Sequence, residues 1–229
     1  ERSATPVEIS ASILKRLISS AARIHGEIDE AVISVPASSG DKFRKATVKA
    51  GELAGIGEVK LVNEPVAAAV FYATTQPVKG RVLVYDLGGG TFDVAIVEIE
   101  GKDVDVRAST GEPHLGGKDF DRAICGILDE KHHAEYDEWL YEGTEPDGFL
   151  MRQAEKLKIS LSRREAVEWV GEGGRVITIT REEFEAAIIG KISEADDLID
   201  DALGELGLND WDIDFVLLVG GSTRIPLVT

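Results

Sequence analysis

The chain has 229 residues, with 42 acidic side chains against 25 Lys and Arg and a formal net charge of −17. At 43% hydrophobic and 29% charged, it can bury a large core as one domain or two lobes, which excludes a disordered chain. The charge excludes a surface built for nucleic acid or an anionic membrane. The single cysteine, Cys125, excludes an internal disulfide, and no apolar run is long enough for a membrane span. No signal-peptide pattern opens the sequence. Thr5-Pro6-Val7-Glu8 predicts a helix start, with Thr5 as cap, Pro6 in the first position and Glu8 closing a capping box. Ile9, Ile13, Leu17, Ala21 and Ile24 keep helical spacing, and His25-Gly26 ends the helix. Ala31–Val35, halted by Pro36, predicts a buried strand. Asp41–Ala54 reads as a helix carrying Lys42, Arg44, Lys45 and Lys49, and Lys60–Val62 as a strand. Glu64-Pro65 opens an alanine-rich helix whose small side chains suit close packing on a sheet.

Arg81–Asp86 is a strongly apolar strand running into Gly88-Gly89-Gly90. Phe92–Ile99 is a second strand, turned by Gly101-Lys102 into a third over Val104–Ala108. Helices follow at 119–133 and 149–162, then strands at 167–170 and 176–180. A long helix over 181–206 carries Ile188, Ile192, Ala195, Ile199 and Ala202 on one stripe. Phe215–Val219 reads as a buried strand ending in Gly220-Gly221, and Ile225-Pro226 as the start of another helix. This alternation predicts an α/β fold with one antiparallel meander around the triple glycine, and residues 119–180 read as an inserted subdomain. Cys125 is expected as a core thiol, His132-His133 as a solvated helix end, and Trp139, Trp169 and Trp211 as packing residues. Glu194–Asp214 holds nine acids and no base, which suits a solvated face or a docking surface for a basic partner.

The sharpest chemical signal is Asp86-Leu87-Gly88-Gly89-Gly90-Thr91-Phe92-Asp93. A strand delivers a carboxylate, glycines turn the chain, and a second strand brings a hydroxyl and another carboxylate. Without Cβ atoms the turn can aim N–H groups at phosphate oxygens. Asp86 is placed to hold a hydrated Mg²⁺, Thr91 to meet a phosphate oxygen or a water, and Asp93 to orient water beside it. Gly220-Gly221-Ser222-Thr223-Arg224 repeats the pattern after the last strand, with a guanidinium able to stack on a base or pair with phosphate. Gly116-Gly117 precedes a helix that Asp119 can cap. Three such turns suggest a cleft closing on one nucleotide. Neither a GxxxxGK[ST] loop nor a helix-opening GxGxxG is present.

Six segments, in order, resemble the nucleotide-binding domain of the seventy-kilodalton heat-shock chaperones: Ala31–Ala37, Val62–Ala69, Val84–Val94, His114–Asp121, Ala154–Ser162 and Leu218–Pro226. The resemblance covers nearly the whole chain. It implies an actin-like, ribonuclease-H-like ATPase fold: a mixed sheet flanked by helices with an inserted α+β subdomain. Residues 1–80 would be part of a first lobe, and 81–229 a second lobe with the insertion at about 119–180. It implies ATP or ADP with Mg²⁺ as cofactors, with Asp86 in the metal shell and Asp93 beside the attacking water. Gly88, Gly89, Gly90 and Thr91 would meet the β- and γ-phosphates, and Glu64 would reach the metal's water shell. Gly116 and Gly117 would line the phosphate side. Glu155, Lys158 and Ser162 would hold adenosine, faced by Gly220, Gly221, Ser222 and Arg224. Pro36 and Arg44 match positions of an interdomain relay.

The implied protein is a cytoplasmic, stress-related chaperone whose ATP hydrolysis controls peptide binding by another domain. Its implied partners are unfolded peptides, a J-domain co-chaperone and a nucleotide exchange factor, with no nucleic acid and no membrane. The alternatives are a degenerate nucleotide-sensing or partner-docking module and a small-molecule kinase of the same superfamily. The family's Asp-Leu-Gly-Thr-Thr phosphate loop, the lysine after it, the closing helix and the peptide-binding domain are not found in these residues. The chain is therefore expected to hydrolyse little ATP alone. Val66 stands where relatives carry threonine, Ser38 where they carry an aromatic, and 131–147 is acidic where they are commonly basic.

Overall fold

In a computed structural model, which describes residues 3–143 and 145–229, helix α1 (Pro6–His25) starts with the capping box of Thr5 and Glu8 and ends at Gly26 with φ 85°. Strand β1 (Glu30–Val35), helix α2 (Asp41–Ala54), strand β2 (Glu58–Asn63) and helix α3 (Glu64–Thr75) follow. β1 and β2 pair in parallel as a two-stranded sheet. This corrects the expectation of a buried β1. Val32 is 63% exposed and only Val35 is buried, because no described element covers the strand's other face. The apolar stripe of α1 is likewise open to solvent at Ile9, Ile13, Leu17 and Ile24.

Strands β3 (Lys79–Leu87), β4 (Phe92–Glu100) and β5 (Asp103–Glu112) form the antiparallel meander, and β8 (Phe215–Val219) joins β3 in parallel, in the order β5-β4-β3-β8. β3 and β4 read as unbroken apolar runs because both faces of the sheet are covered. On one face Val82, Val84, Ala95 and Val97 pack under Ala69 and Ala73 of α3, whose small side chains permit the close approach. On the other, Leu83, Tyr85, Leu87, Val94 and Ile96 join a larger apolar cluster. That cluster is closed by α4 (Gly117–Tyr136), α5 (Gly148–Leu161), the hairpin of β6 (Ala166–Val170) with β7 (Val176–Thr180), and α6 (Arg181–Glu205). Strand β8 is the second correction. It lies at the sheet edge, and Phe215, Val216 and Leu218 are exposed where a buried strand was expected, because the described elements cover its faces only in part.

A third difference follows β8. The predicted helix at Ile225-Pro226 is replaced by two short 3₁₀ turns, Gly221–Arg224 and Pro226–Val228. Proline has no N–H to donate and holds Ile225 extended at ψ 126°, which breaks the helical run. Cys125 is buried against Met151 as expected. His132 is not solvated: it is buried, with Nδ1 2.7 Å from the Glu138 carbonyl. Among the tryptophans only Trp169 is a packing residue, while Trp139 stacks on His133 in the open and Trp211 is 95% exposed. The acids of 194–214 are almost all solvated, but Asp214 accepts the Arg81 N–H at 2.7 Å and so ties the last loop to β3. No described helix is long and apolar enough to cross a membrane.

Thr180 caps α6 and Glu183 reaches back to it, so two otherwise orphaned N–H groups are satisfied. Thr180→Ala is expected to lower stability by about 1 kcal/mol, read as a lower urea midpoint at unchanged slope. An unchanged midpoint would show that the cap adds nothing.

Candidate functional site

The three glycine turns meet at one carbonyl. The Gly88 oxygen accepts the Gly117 N–H at 3.0 Å and the Ser222 hydroxyl at 2.9 Å. The Gly89 oxygen accepts the Lys118 N–H at 2.9 Å, and Gly88 N–H closes its own turn onto the Thr91 carbonyl at 3.0 Å. The N–H groups of Gly89 and Gly90 donate to no acceptor among the described residues. The turn is therefore pinned by its carbonyls and presents free amides. A Cβ on Gly116 would sit 2.6 Å from the Gly90 nitrogen, so the two loops touch backbone to backbone and glycine is required there.

Strand register supplies the charge. Asp86 and Asp93 are directly opposed in the antiparallel β3–β4 ladder, and Glu64 opens α3 nearby. Burial raises the Asp86 carboxyl above its ordinary range, and the facing Asp93 raises it further. Asp93 is 1% exposed and is also raised by burial. Its Oδ1 is held by the Ala37 N–H at 2.7 Å and the Ser38 N–H at 3.3 Å; Oδ2 is buried with no aligned donor, and the two amides and the Thr91 hydroxyl oppose the rise that burial imposes. Glu64 is raised by burial first, then by Asp86 and Asp93. Tyr85, beneath the site, is pushed up to about 12 by burial and by Asp196.

Each carboxyl binds its proton more tightly folded than unfolded. The stability tied to that proton is present below the ordinary carboxylate pKa and is lost as pH rises through the raised value. Removing one charge relieves the others only when they are ionised. The melting temperature of Asp86→Asn should exceed that of the ligand-free parent at neutral pH, and the gap should close below about pH 4. A gap independent of pH would refute mutual repulsion among these groups.

The other predicted residues divide. Lys158 is buried, donates to the Gly117 carbonyl at 2.8 Å and lies 2.8 Å from Asp121 Oδ1. Ser162 caps the end of α5 through its hydroxyl on the Lys158 carbonyl at 3.3 Å. Gly220, at φ 89°, brings the end of β8 against Leu87 and Asp86. Glu155, Gly221 and Arg224 are exposed, and Arg224 has no ion-pair partner among the described residues. Pro36 ends β1 just before the amides that hold Asp93. Arg44 donates through Nε to the Ser39 carbonyl at 2.9 Å and through Nη2 to Asn63 Oδ1 at 2.6 Å. That second bond explains why Asn63, at the N-cap of α3, makes no side-chain cap. Sequence reading assigned no role to Asn63, Asp121 or the Ala37 and Ser38 amides. For Asp121 a signal existed: it occupies the stripe of Phe120, Ile124, Cys125 and Leu128, where an acid is out of place.

The family model for Hsp70 protein matches residues 1–229. The chain is 41% identical over 233 residues to chaperone protein HscA of Buchnera aphidicola subsp. Acyrthosiphon pisum (strain Tuc7), covering 98% of this chain and 36% of that protein. It is 40% identical over 236 residues to chaperone protein DnaK of Thermotoga petrophila, covering 98% and 40%. It is 39% identical over 240 residues to chaperone protein dnaK of Cyanidioschyzon merolae, covering 97% and 38%. The chain thus belongs to the Hsp70 family of chaperones, as part of its nucleotide-binding domain, and spans between 36% and 40% of the length of these relatives.

Proposed function

We propose that the glycine turns form the phosphate cradle of an ATP-binding domain with the actin-like fold, and that the intact protein hydrolyses ATP slowly to control peptide binding elsewhere. The observation that carries this is the pinned 88–90 turn with free Gly89 and Gly90 amides beside mutually repelling carboxylates. Phosphate oxygens accept from such amides. A divalent cation fits the rest. Asp93 Oδ2 is buried without an aligned donor, and Asp86 and Glu64 are both disfavoured as anions. Mg²⁺ takes one or two carboxylates and keeps its waters, so two carboxylates beside phosphate oxygens would be enough to hold it. Asp86 would hold it, with Glu64 reaching its water shell, and when bound it would supply charge neutralisation at the phosphates.

In this reading Thr91 meets the γ-phosphate, and Asp93 Oδ2 accepts a hydrogen bond from the attacking water. Gly116 and Gly117 wall the phosphate side. Lys158, Ser162 and Glu155 face Gly220, Gly221, Ser222 and Arg224 across the nucleoside. Positioning and charge neutralisation, more than covalent chemistry, drive phosphoryl transfer to water. The Ala37 and Ser38 amides sense Asp93, and Arg44 links that loop to Asn63 and helix α3. Pro36 and Arg44 are thereby a route for reporting nucleotide state. Residues 1–80 would belong to a first lobe and 81–229 to a second, with 119–180 inserted. Family membership supports a cytoplasmic setting and partners comprising unfolded peptides, a J-domain co-chaperone and an exchange factor.

Calorimetry with ADP and ATP, paired with phosphate release, tests the proposal on the intact protein. Saturable Mg²⁺-dependent binding with slow turnover is expected, and no heat with either nucleotide would end it. This chain by itself should turn over far less ATP than the intact protein. Equal rates would show that the residues described here suffice.

A further inference from the structure

Helices α4 and α5 face each other with apolar stripes, and each stripe is interrupted once by a charge. Asp121 interrupts the first and Lys158 the second. They are 6% and 9% exposed, and Lys158 Nζ lies 2.8 Å from Asp121 Oδ1. A buried ion pair adds little to stability compared with packed apolar residues, so its presence calls for another explanation. The same ammonium donates to the Gly117 carbonyl at 2.8 Å. Gly117 in turn donates to the Gly88 carbonyl, which also receives the Ser222 hydroxyl. The pair is thus the buried end of a continuous chain of contacts reaching the 88–90 turn.

The packing around Gly117 is tight. A Cβ there would meet Lys158 Nζ and Ser222 Oγ, both at 2.9 Å, so the ammonium and the hydroxyl occupy the space beside that backbone. An ammonium has three N–H donors. The Gly117 carbonyl takes one and the Asp121 carboxylate lies against the ammonium, so a further donor remains for a ligand. At 2.8 Å the Lys158 ammonium is within hydrogen-bond reach of Asp121 Oδ1, so the two charges are held together inside the α4–α5 contact. Burial raises the Asp121 carboxyl, and Lys158 opposes that shift.

We infer that Asp121 is a positioning residue for nucleotide binding: its carboxylate fixes the Lys158 ammonium between the phosphate-side glycines and the nucleoside. The inference rests on the nucleotide reading above and adds a residue to it. Asp121 touches no ligand itself and acts only through Lys158.

A double-mutant cycle on the intact protein tests this, with ADP affinity by calorimetry and melting temperature as separate readouts. Asp121→Asn and Lys158→Met should each weaken ADP binding at least about tenfold, by the scale of a broken buried charge pair. The double variant should bind ADP no more weakly than Lys158→Met alone, because Asp121 has nothing to position once the ammonium is gone. It should also melt higher than Asp121→Asn, since no unpaired buried charge remains, and it keeps the comparison open if that single variant does not fold. Wild-type ADP affinity in Asp121→Asn, or losses in the double variant equal to the sum of the singles, would overturn the inference alone. A wild-type protein that binds no ADP overturns the nucleotide reading and this inference with it.

Discussion

Asp86→Asn in the intact protein is expected to cut Mg²⁺-dependent ATP turnover by about 10²–10³-fold while the ligand-free fold becomes more stable. The two effects have one cause. The β3–β4 register sets Asp86 opposite Asp93, and burial leaves neither charge well solvated. In the ligand-free protein that opposition is a penalty, as like charges facing across a ladder generally are. In the proposed nucleotide complex a cation held by Asp86 would offset that repulsion, so the penalty carried by the ligand-free protein would favour binding. Asparagine keeps the size and loses the charge, so it relieves the penalty and removes the ligand together. Phosphate release and thermal melting read the two halves separately. Undiminished turnover would remove Asp86 from the site. Lost turnover with a lowered melting temperature would make Asp86 a structural residue instead.

Gly220→Ala should have the largest effect on the fold itself, a loss of about 3 kcal/mol or more. Gly220 has φ 89°, which an L side chain adopts only under strain. Its Cβ would fall 2.2 Å from the Leu87 carbonyl oxygen and 3.1 Å from Asp86 Oδ1. The first clash is with backbone at the end of β3 and cannot be relieved by a rotamer change. Either β8 peels from β3 or the Asp86 strand end shifts, and both outcomes open the Ser222–Gly88 junction. Chemical denaturation should show the loss, and nucleotide binding should fall with it. Gly221→Ala, with open space at its Cβ and no positive φ, is the control and should stay within about 0.5 kcal/mol of the parent. Equal effects at the two positions would sink the steric account.

Much of the site was legible because its parts are local. The triple glycine with its flanking carboxylates is a strand–turn–strand signal that needs no partner to be read. The alanine run of α3 likewise announced close packing on a sheet, and Ala69 and Ala73 lie on β3 and β4. Two of the misreadings share one cause: apolar runs at β1 and β8 looked like buried strands, but burial depends on what lies over a strand, and here Val32 of β1 and Phe215, Val216 and Leu218 of β8 are left exposed. His132 looked solvated because it stands near a helix end, yet the 137–140 turn folds back to meet its ring.

The residues alone determined the family, the α/β alternation and the capping box that starts α1, since those follow from backbone sterics and short-range chemistry. Only the folded chain decided that three distant turns share the Gly88 carbonyl, that Ala37 and Ser38 hold Asp93, and that Asp121 lies against Lys158. Each joins segments dozens of residues apart, and their distance in space is set by sheet register and helix packing rather than by any local pattern.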